Sequence, residues 1–255
     1  DGPDRGPVRE HTLREARAAS KVDHPAVVHV YDVVEEDGRQ WIVMQLIKAP
    51  SLAELLERNG PCTPQQTARI GLQLLGALTA AHAEGIVHRD VKPSNVLIDG
   101  EQAVLTDFGI AAIDGEATPF DDEVVVGSPS YIAPERLRGE PATPASDLWA
   151  LAATLYATVE GRPPFSRDSA LAIMSAVATG EPDPLSRAGI LAPLLTRMLH
   201  RDPARRPDAA HVERELTRLA TLGEHLDDRA ITTTGPIDHD TTAIRPAPPT
   251  DGSPG

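Results

Sequence analysis

Apolar and polar positions change their rhythm several times along this chain. Residues 11–28, HTLREARAASKVDHPAVV, carry alanine and leucine at helical spacing with Glu15 among them, and a His24-Pro25 pair that stops the helix. Residues 26–47 then alternate and branch. AVVHVYDVV, a turn at Glu36-Asp37-Gly38 and QWIVMQLI together predict a β-hairpin. From Thr63 to about Gly85 the period is helical again, with Ile70, Leu74, Leu75, Leu78 and Ala81 on one face. Thr63 can cap that helix, Pro64 suits its first position, Gln66 completes a capping box and Gly85 marks its end. A second hairpin is predicted where Val96–Ile98 and Ala103–Leu105 flank Asp99-Gly100. Beyond about Ala145 the pattern is helical, interrupted at EGRPPF, GEPDP and RDPARRP. Strands come early and helices late, which is an α+β arrangement. From about Thr221 the composition turns to Thr, Pro, Gly and Asp, with too few large apolar residues to offset ordering entropy, so 221–255 reads as a disordered tail or linker.

Composition narrows the partners. At 255 residues and 40% hydrophobic content the chain can build one large domain or two small ones. A net charge of -14 argues against nucleic acid, whose phosphates need a basic face. The single cysteine, Cys62, has no internal disulfide partner and fits a reducing, cytoplasmic setting. No apolar run approaches the roughly 20 residues of a membrane helix. The chain begins with Asp1 rather than Met, so a piece of a longer protein is expected.

The second hairpin carries the chemistry. Folding back at Asp99-Gly100 brings Asn95 and Asp107 to one open end, on strands about 5 Å apart. Two oxygen ligands facing one small space suit Mg²⁺, which binds one or two protein oxygens together with phosphate oxygens and water. Just before Asn95, HRDVKP adds a carboxylate, Asp90, and Lys92 within the same short loop.

HRDVKPSN (88–95), DFG (107–109) and APE (133–135), in this order and spacing, resemble the catalytic loop, metal loop and activation-segment end of eukaryotic-type (Hanks-type) bacterial serine/threonine protein kinases. The roles this resemblance gives to single residues are the family's phosphoryl-transfer template rather than a deduction from spacing. The resemblance implies a protein-kinase-like two-lobe fold. Residues 1–47 would form an incomplete N-lobe of regulatory helix and hairpin, and 48–220 a mainly helical C-lobe. Asp90 would orient the substrate hydroxyl and accept its proton, and Lys92 would steady the transferring phosphate. Asn95 and Asp107 would hold Mg²⁺, and backbone groups of Gln45 to Ile47 would bind the adenine of ATP, with Met44 gating the pocket behind it. Glu15 would pair with a strand lysine. His88 and Phe108 would be packing residues, Glu135 and Arg206 a buried ion pair, and Asp147 and Trp149 anchors of the loop from below. Lysine two residues after Asp90, with GSPSYIAPE at 127–135, resembles the branch that phosphorylates Ser and Thr, with Ser128 touching the catalytic loop. Arg89 would bind a phosphate on the activation segment. Asp122 and Phe120 stand where such kinases often carry threonine; Asp122 either supplies Arg89 with a fixed charge or, with the rest of DDE, forms a solvated acidic loop, and Thr118 is the fallback phosphosite.

Two nucleotide-binding parts of the family are missing: a glycine-rich loop and the strand lysine. The only lysines are Lys21, Lys48 and Lys92, all after Glu15. Two readings are open, a piece of an active kinase with protein substrates and a truncated module that binds or regulates without catalysis. A small-molecule phosphotransferase is a third, opposed by GSPSYIAPE and the late helices. Thr232–Thr234, Thr241 and Thr242 of the tail are candidate autophosphorylation sites for phosphothreonine-binding partners. A membrane anchor, if any, would belong to a longer parent.

Overall fold

The computed structural model of this chain describes residues 22–36, 39–108, 129–222 and 242–246. Glu15, Thr118, Phe120, Asp122, Ser128, Thr232–Thr234 and Thr241, with the expectations resting on them, lie outside the described residues.

Two strands, β1 (Val30–Glu36) and β2 (Arg39–Gln45), form the first hairpin. They pair antiparallel from Val30↔Met44 to Glu36↔Arg39, with a register shift between Val30 and Asp32. Val30 and Ile42 face inward while Tyr31 and Val34 face solvent; strict alternation would give Val30 and Val34 one face, and the register shift between Val30 and Asp32 is what separates them. The expected strand is longer at its start than the observed one. Ala26–Val28 leave the hairpin because all three are buried, which a half-solvated strand cannot provide. They pair instead with Leu105: Val28 N–H donates to the Leu105 carbonyl at 3.0 Å, and Leu105 N–H to that of Ala26 at 2.8 Å. His24 reinforces this turn by accepting from the Ala26 N–H at 3.1 Å.

A third strand, β5 (Thr242–Pro246), pairs antiparallel with the outer edge of β2, giving the order β1-β2-β5. This corrects the expected tail for those five residues. Composition gave them no core to fold around, but backbone pairing on an existing edge needs none.

Helices dominate the remaining described residues. After α1 (Leu52–Asn59), capped by Ser51 and Glu54, comes α2 (Pro64–Ala83). Its Thr63–Gln66 capping box and its buried Ile70, Leu74, Leu75, Leu78 and Ala81 match the predicted stripe. Strands β3 (Val96–Asp99) and β4 (Gln102–Leu105) make the second hairpin, and Gly100 turns it with φ 59. Next come α3 (Pro134–Leu137), α4 (Pro144–Glu160), α5 (Ala170–Thr179), α6 (Ala192–Met198) and α7 (Ala209–Thr221).

Helix α4 is buried on every side from Ser146 to Glu160, and α2 packs against both it and α7. Its C-terminal Glu160 accepts backbone N–H bonds from Ser186, Arg187 and Ala188 at 2.7–3.0 Å. Burial alone would raise this carboxyl's pKa; the bonds outweigh it and hold the pKa below the usual value. Among the described residues no helix is long and apolar enough to cross a membrane.

Candidate active site

The β3–β4 hairpin and helix α4 position one loop between them. At the hairpin's open end the Asn95 carbonyl accepts from the Thr106 N–H at 2.9 Å and the Thr106 hydroxyl at 3.1 Å. Asn95 and Asp107 are therefore brought to the same end, as the fold-back at Gly100 predicted.

From below, the buried Asp147 of α4 holds the loop by its backbone. One carboxylate oxygen accepts the Arg89 N–H at 2.9 Å, and the other accepts the His88 N–H at 2.8 Å. Farther along α4, the Thr154 hydroxyl donates to the Val91 carbonyl at 3.3 Å. These ties hold a strained backbone. Among the described residues, Arg89 (φ 72) and Asp107 (φ 60) are the only non-glycine residues in the left-handed region. Strain of about 1–3 kcal/mol each persists where the surroundings over-determine it, and such residues cluster at functional sites.

Between the two strained positions three side chains converge. Asn95 Nδ2 donates to both the carbonyl of Asp90 (2.8 Å) and its carboxylate (2.9 Å). Lys92 Nζ lies 2.6 Å from the same carboxylate oxygen. Two oxygens face Nδ2, which fixes the orientation of the Asn95 amide and leaves its Oδ1 with a long 3.5 Å contact to the Ser94 hydroxyl. Oδ1 and the Asp107 carboxylate are hard oxygen donors of the type Mg²⁺ takes.

His88 is buried and locked into one neutral tautomer. Nε2–H donates to the Thr106 carbonyl at 2.9 Å and Nδ1 accepts from the Asp90 N–H at 3.2 Å. Burial lowers its pKa, and Asp147, Asp90, Asp107 and the Thr106 bond offset this only in part. The ring lies 4.5 Å from that of Phe108, the packing pair expected from the sequence.

Glu135 and Arg206 meet in a buried bidentate pair at 2.6 and 2.7 Å. Arg206 also donates to the carbonyls of His200, Ala145 and Arg201, which secures α3 to the turn before α7. Trp149 differs from expectation. Its ring stacks on Phe165 at 6.0 Å and carries the Arg206 guanidinium 5.0 Å above it, so it supports the ion pair while Asp147 holds the loop.

Gln45 ends β2, and its N–H is bonded to the His29 carbonyl at 2.8 Å, so Gln45 could offer adenine its carbonyl. Leu46 and Ile47 continue into a segment tied to β3 by the bond from Ile98 N–H to the Pro50 carbonyl at 3.0 Å. Burial pushes the Cys62 thiol up to about 11, which keeps it protonated and unreactive.

One residue escaped the sequence reading. His82, in the last turn of α2, places Nε2 2.8 Å from Asp147 Oδ2. A histidine at the i+4 and i+7 positions from the apolar Leu78 and Leu75 was the available signal.

Comparison with known proteins agrees with this geometry. The protein kinase domain family matches residues 3–215. The serine/threonine-protein kinase PkaA of Streptomyces coelicolor is 39% identical over 86% of this chain and 41% of its own length. PrkC of Bacillus subtilis is 42% identical over 63% of this chain and 25% of its own. PknK of Mycobacterium tuberculosis is 42% identical over 86% and 20%. The chain thus spans less than half the length of these relatives. In fold it is similar to the crystal structure of Rad53 1-466 in complex with AMP-PNP, with a TM-score of 0.70 at 24% identity over 83% of this chain and 55% of that one. The ordered motifs, the helical lobe beneath a small sheet and the matched span agree: the chain belongs to the protein kinase family, in its bacterial, Hanks-type serine/threonine branch.

Proposed function

We propose that this chain carries the phosphotransfer residues of a serine/threonine protein kinase, which moves the γ-phosphoryl group of ATP to hydroxyls of protein substrates. The observation that carries this reading is the cluster in which Asn95 and Lys92 both hold the Asp90 carboxylate, beside the hairpin end that bears Asp107. Asp90 accepts a hydrogen bond from the incoming hydroxyl, orients it and takes its proton as the new O–P bond forms and the bond from the γ-phosphorus to the β–γ bridging oxygen breaks, ADP leaving with that oxygen. Lys92 keeps that carboxylate in place and sets a positive charge beside the transferring group. Asn95 Oδ1 and Asp107 are the residues that would hold Mg²⁺, which when bound offsets the negative charge of the phosphates. The Gln45 carbonyl and the Ile47 backbone receive adenine. The bacterial relatives that bear serine/threonine kinase names support the choice of acceptor. A cytoplasmic setting and phosphothreonine-binding partners of the tail belong to the same reading.

A second reading is a binding or regulatory module without catalysis. Both readings give the chain by itself weak ATP affinity and slow turnover. Labelled-phosphate transfer from Mg-ATP to serine, threonine and tyrosine peptides separates them. The kinase reading expects slow transfer to Ser and Thr that Asp90→Asn lowers by about 100-fold or more. Transfer no faster than that of Asp90→Asn supports the module.

A further inference from the structure

Strand β4 leads directly to Asp107, and its outer edge is completed by two kinds of partner. Leu105 N–H points away from β3 and donates to the Ala26 carbonyl at 2.8 Å. Ala103, two residues earlier and paired with Ile98, presents its N–H on the same side, because donors alternate along a strand. Its partner is a side chain. Gln73 of α2 accepts the Ala103 N–H on Oε1 at 2.8 Å and donates from Nε2 to the Glu101 carbonyl at 2.9 Å. Each end of the amide meets a group of the opposite kind, which fixes its orientation. The Gln73 amide thus takes the place that a peptide group of a neighbouring strand would have.

A hairpin whose strands are four residues long is marginal in water, so its ties to the surroundings decide where it lies. Near the open end the tie is the pairing of Leu105 with Ala26 and Val28, and at the turn end it is Gln73. These points are about 10 Å apart at 3.3 Å per residue, far enough to fix the direction of β4 as well as its position. Helix α2 also carries a second reference point. His82, about two and a half turns after Gln73, holds Asp147, which in turn holds the His88 and Arg89 N–H groups just before Asp90. One helix therefore places the hairpin and the loop relative to each other.

We propose that Gln73 is a positioning residue for phosphotransfer: its two bonds to the β3–β4 turn set the line along which β4 delivers Asp107 to Asn95 and the Asp90 loop. The inference rests on the phosphotransfer reading, in which Asp107 and Asn95 Oδ1 hold the cation. Gln73 acts only through the backbone of Glu101 and Ala103.

Gln73→Met keeps the bulk of the side chain and removes both bonds. In the isotopically labelled full chain it should speed exchange of the Ala103 amide at least about fivefold, while the amides of α4 stay unchanged. Mn²⁺ in place of Mg²⁺, with ATP, should broaden residues 95 and 107 of the unaltered chain. The Mn²⁺ affinity read from that broadening should fall at least about threefold in the variant, less than the roughly 10- to 100-fold lost when a group bonded directly to a ligand is removed. A purely stabilising role would speed exchange but leave the cation affinity of the folded chain unchanged, and that result overturns the proposal. Coupling is reciprocal, so the unaltered chain gives a second readout. Saturating Mg-ATP should slow its Ala103 exchange by about the same threefold, and an Ala103 amide indifferent to Mg-ATP also overturns the proposal. If residues 95 and 107 of the unaltered chain do not broaden, the cation site is wrong and the phosphotransfer reading falls together with this inference. Broadening there that Gln73→Met leaves untouched sinks this inference alone.

Discussion

Asp147 accepts three hydrogen bonds, and each has a separate consequence. Two come from the His88 and Arg89 N–H groups and the third from His82. Arg89 is held at φ 72, and Asp90 follows it directly, so the place of the Asp90 carboxylate depends on how firmly Asp147 is fixed. His82 is in this sense a positioning residue. A hydrogen bond to a charged group contributes about 1.5–3 kcal/mol, so His82→Ala should speed amide exchange at His88 and Arg89 by tenfold or more. His82→Gln, which can still donate, should recover most of the protection; if Gln and Ala behave alike, the hydrogen bond is not the cause. His88 makes a different prediction. Its folded pKa is lowered, so folding favours the neutral ring. That stability is fully present above the unfolded pKa of about 6.5 and declines as pH falls below it, by at most about 1.4 kcal/mol per pH unit for one proton. Protonation would also put a donor at Nδ1, opposite the Asp90 N–H. Urea unfolding between pH 7.5 and 5 should show this slope, and His88→Phe should lower the plateau but flatten the slope.

At the scale of elements, the Glu135–Arg206 pair joins α3 to the turn before α7, and charge burial decides how it responds to mutation. Removing one partner leaves an unpaired buried charge, so Glu135→Ala should cost about 3–5 kcal/mol of stability. Replacing both, as Glu135→Leu with Arg206→Met, should cost less than the single change, and a denaturant series in which the double costs more contradicts this account. Elements whose causes are local were legible in the sequence. The capping box of α2 needs only Thr63 and Gln66, and the β3–β4 turn needs only Asp99-Gly100. Elements defined by distant partners were not. Ala26–Val28 alternate well enough with the residues of β1 to resemble one strand, but their pairing is decided by Leu105, far along the chain. Segment 242–246 was hidden for the same reason, since its partner is β2 and its composition resembles that of a linker. At the site, the closeness of Asp90, Lys92 and Asn95 could be expected because HRDVKPSN is contiguous, and that of Asp107 to Asn95 because the hairpin folds back at one turn. His82 and the placement of Trp149 under Arg206 required the packing of helices that only the folded molecule brings together.

The whole molecule places a strained loop between a short hairpin and a helix buried on every side. The helical lobe supplies rigidity: α4 holds Asp147, Thr154 and Glu160, each bonded to the backbone of a different loop residue or segment. On the proposed reading, the residues at the hairpin's open end supply the oxygens for the cation. On this account the nucleotide and its cation meet the protein at the open end of that hairpin. Paramagnetic relaxation by Mn²⁺, substituted for Mg²⁺, tests this most directly in the isotopically labelled chain. With ATP present, the amide signals of residues 95 and 107 should broaden first, and Asp107→Ala should abolish the effect while the remaining spectrum stays folded. Broadening that appears elsewhere in the molecule, or that survives Asp107→Ala unchanged, would contradict the site.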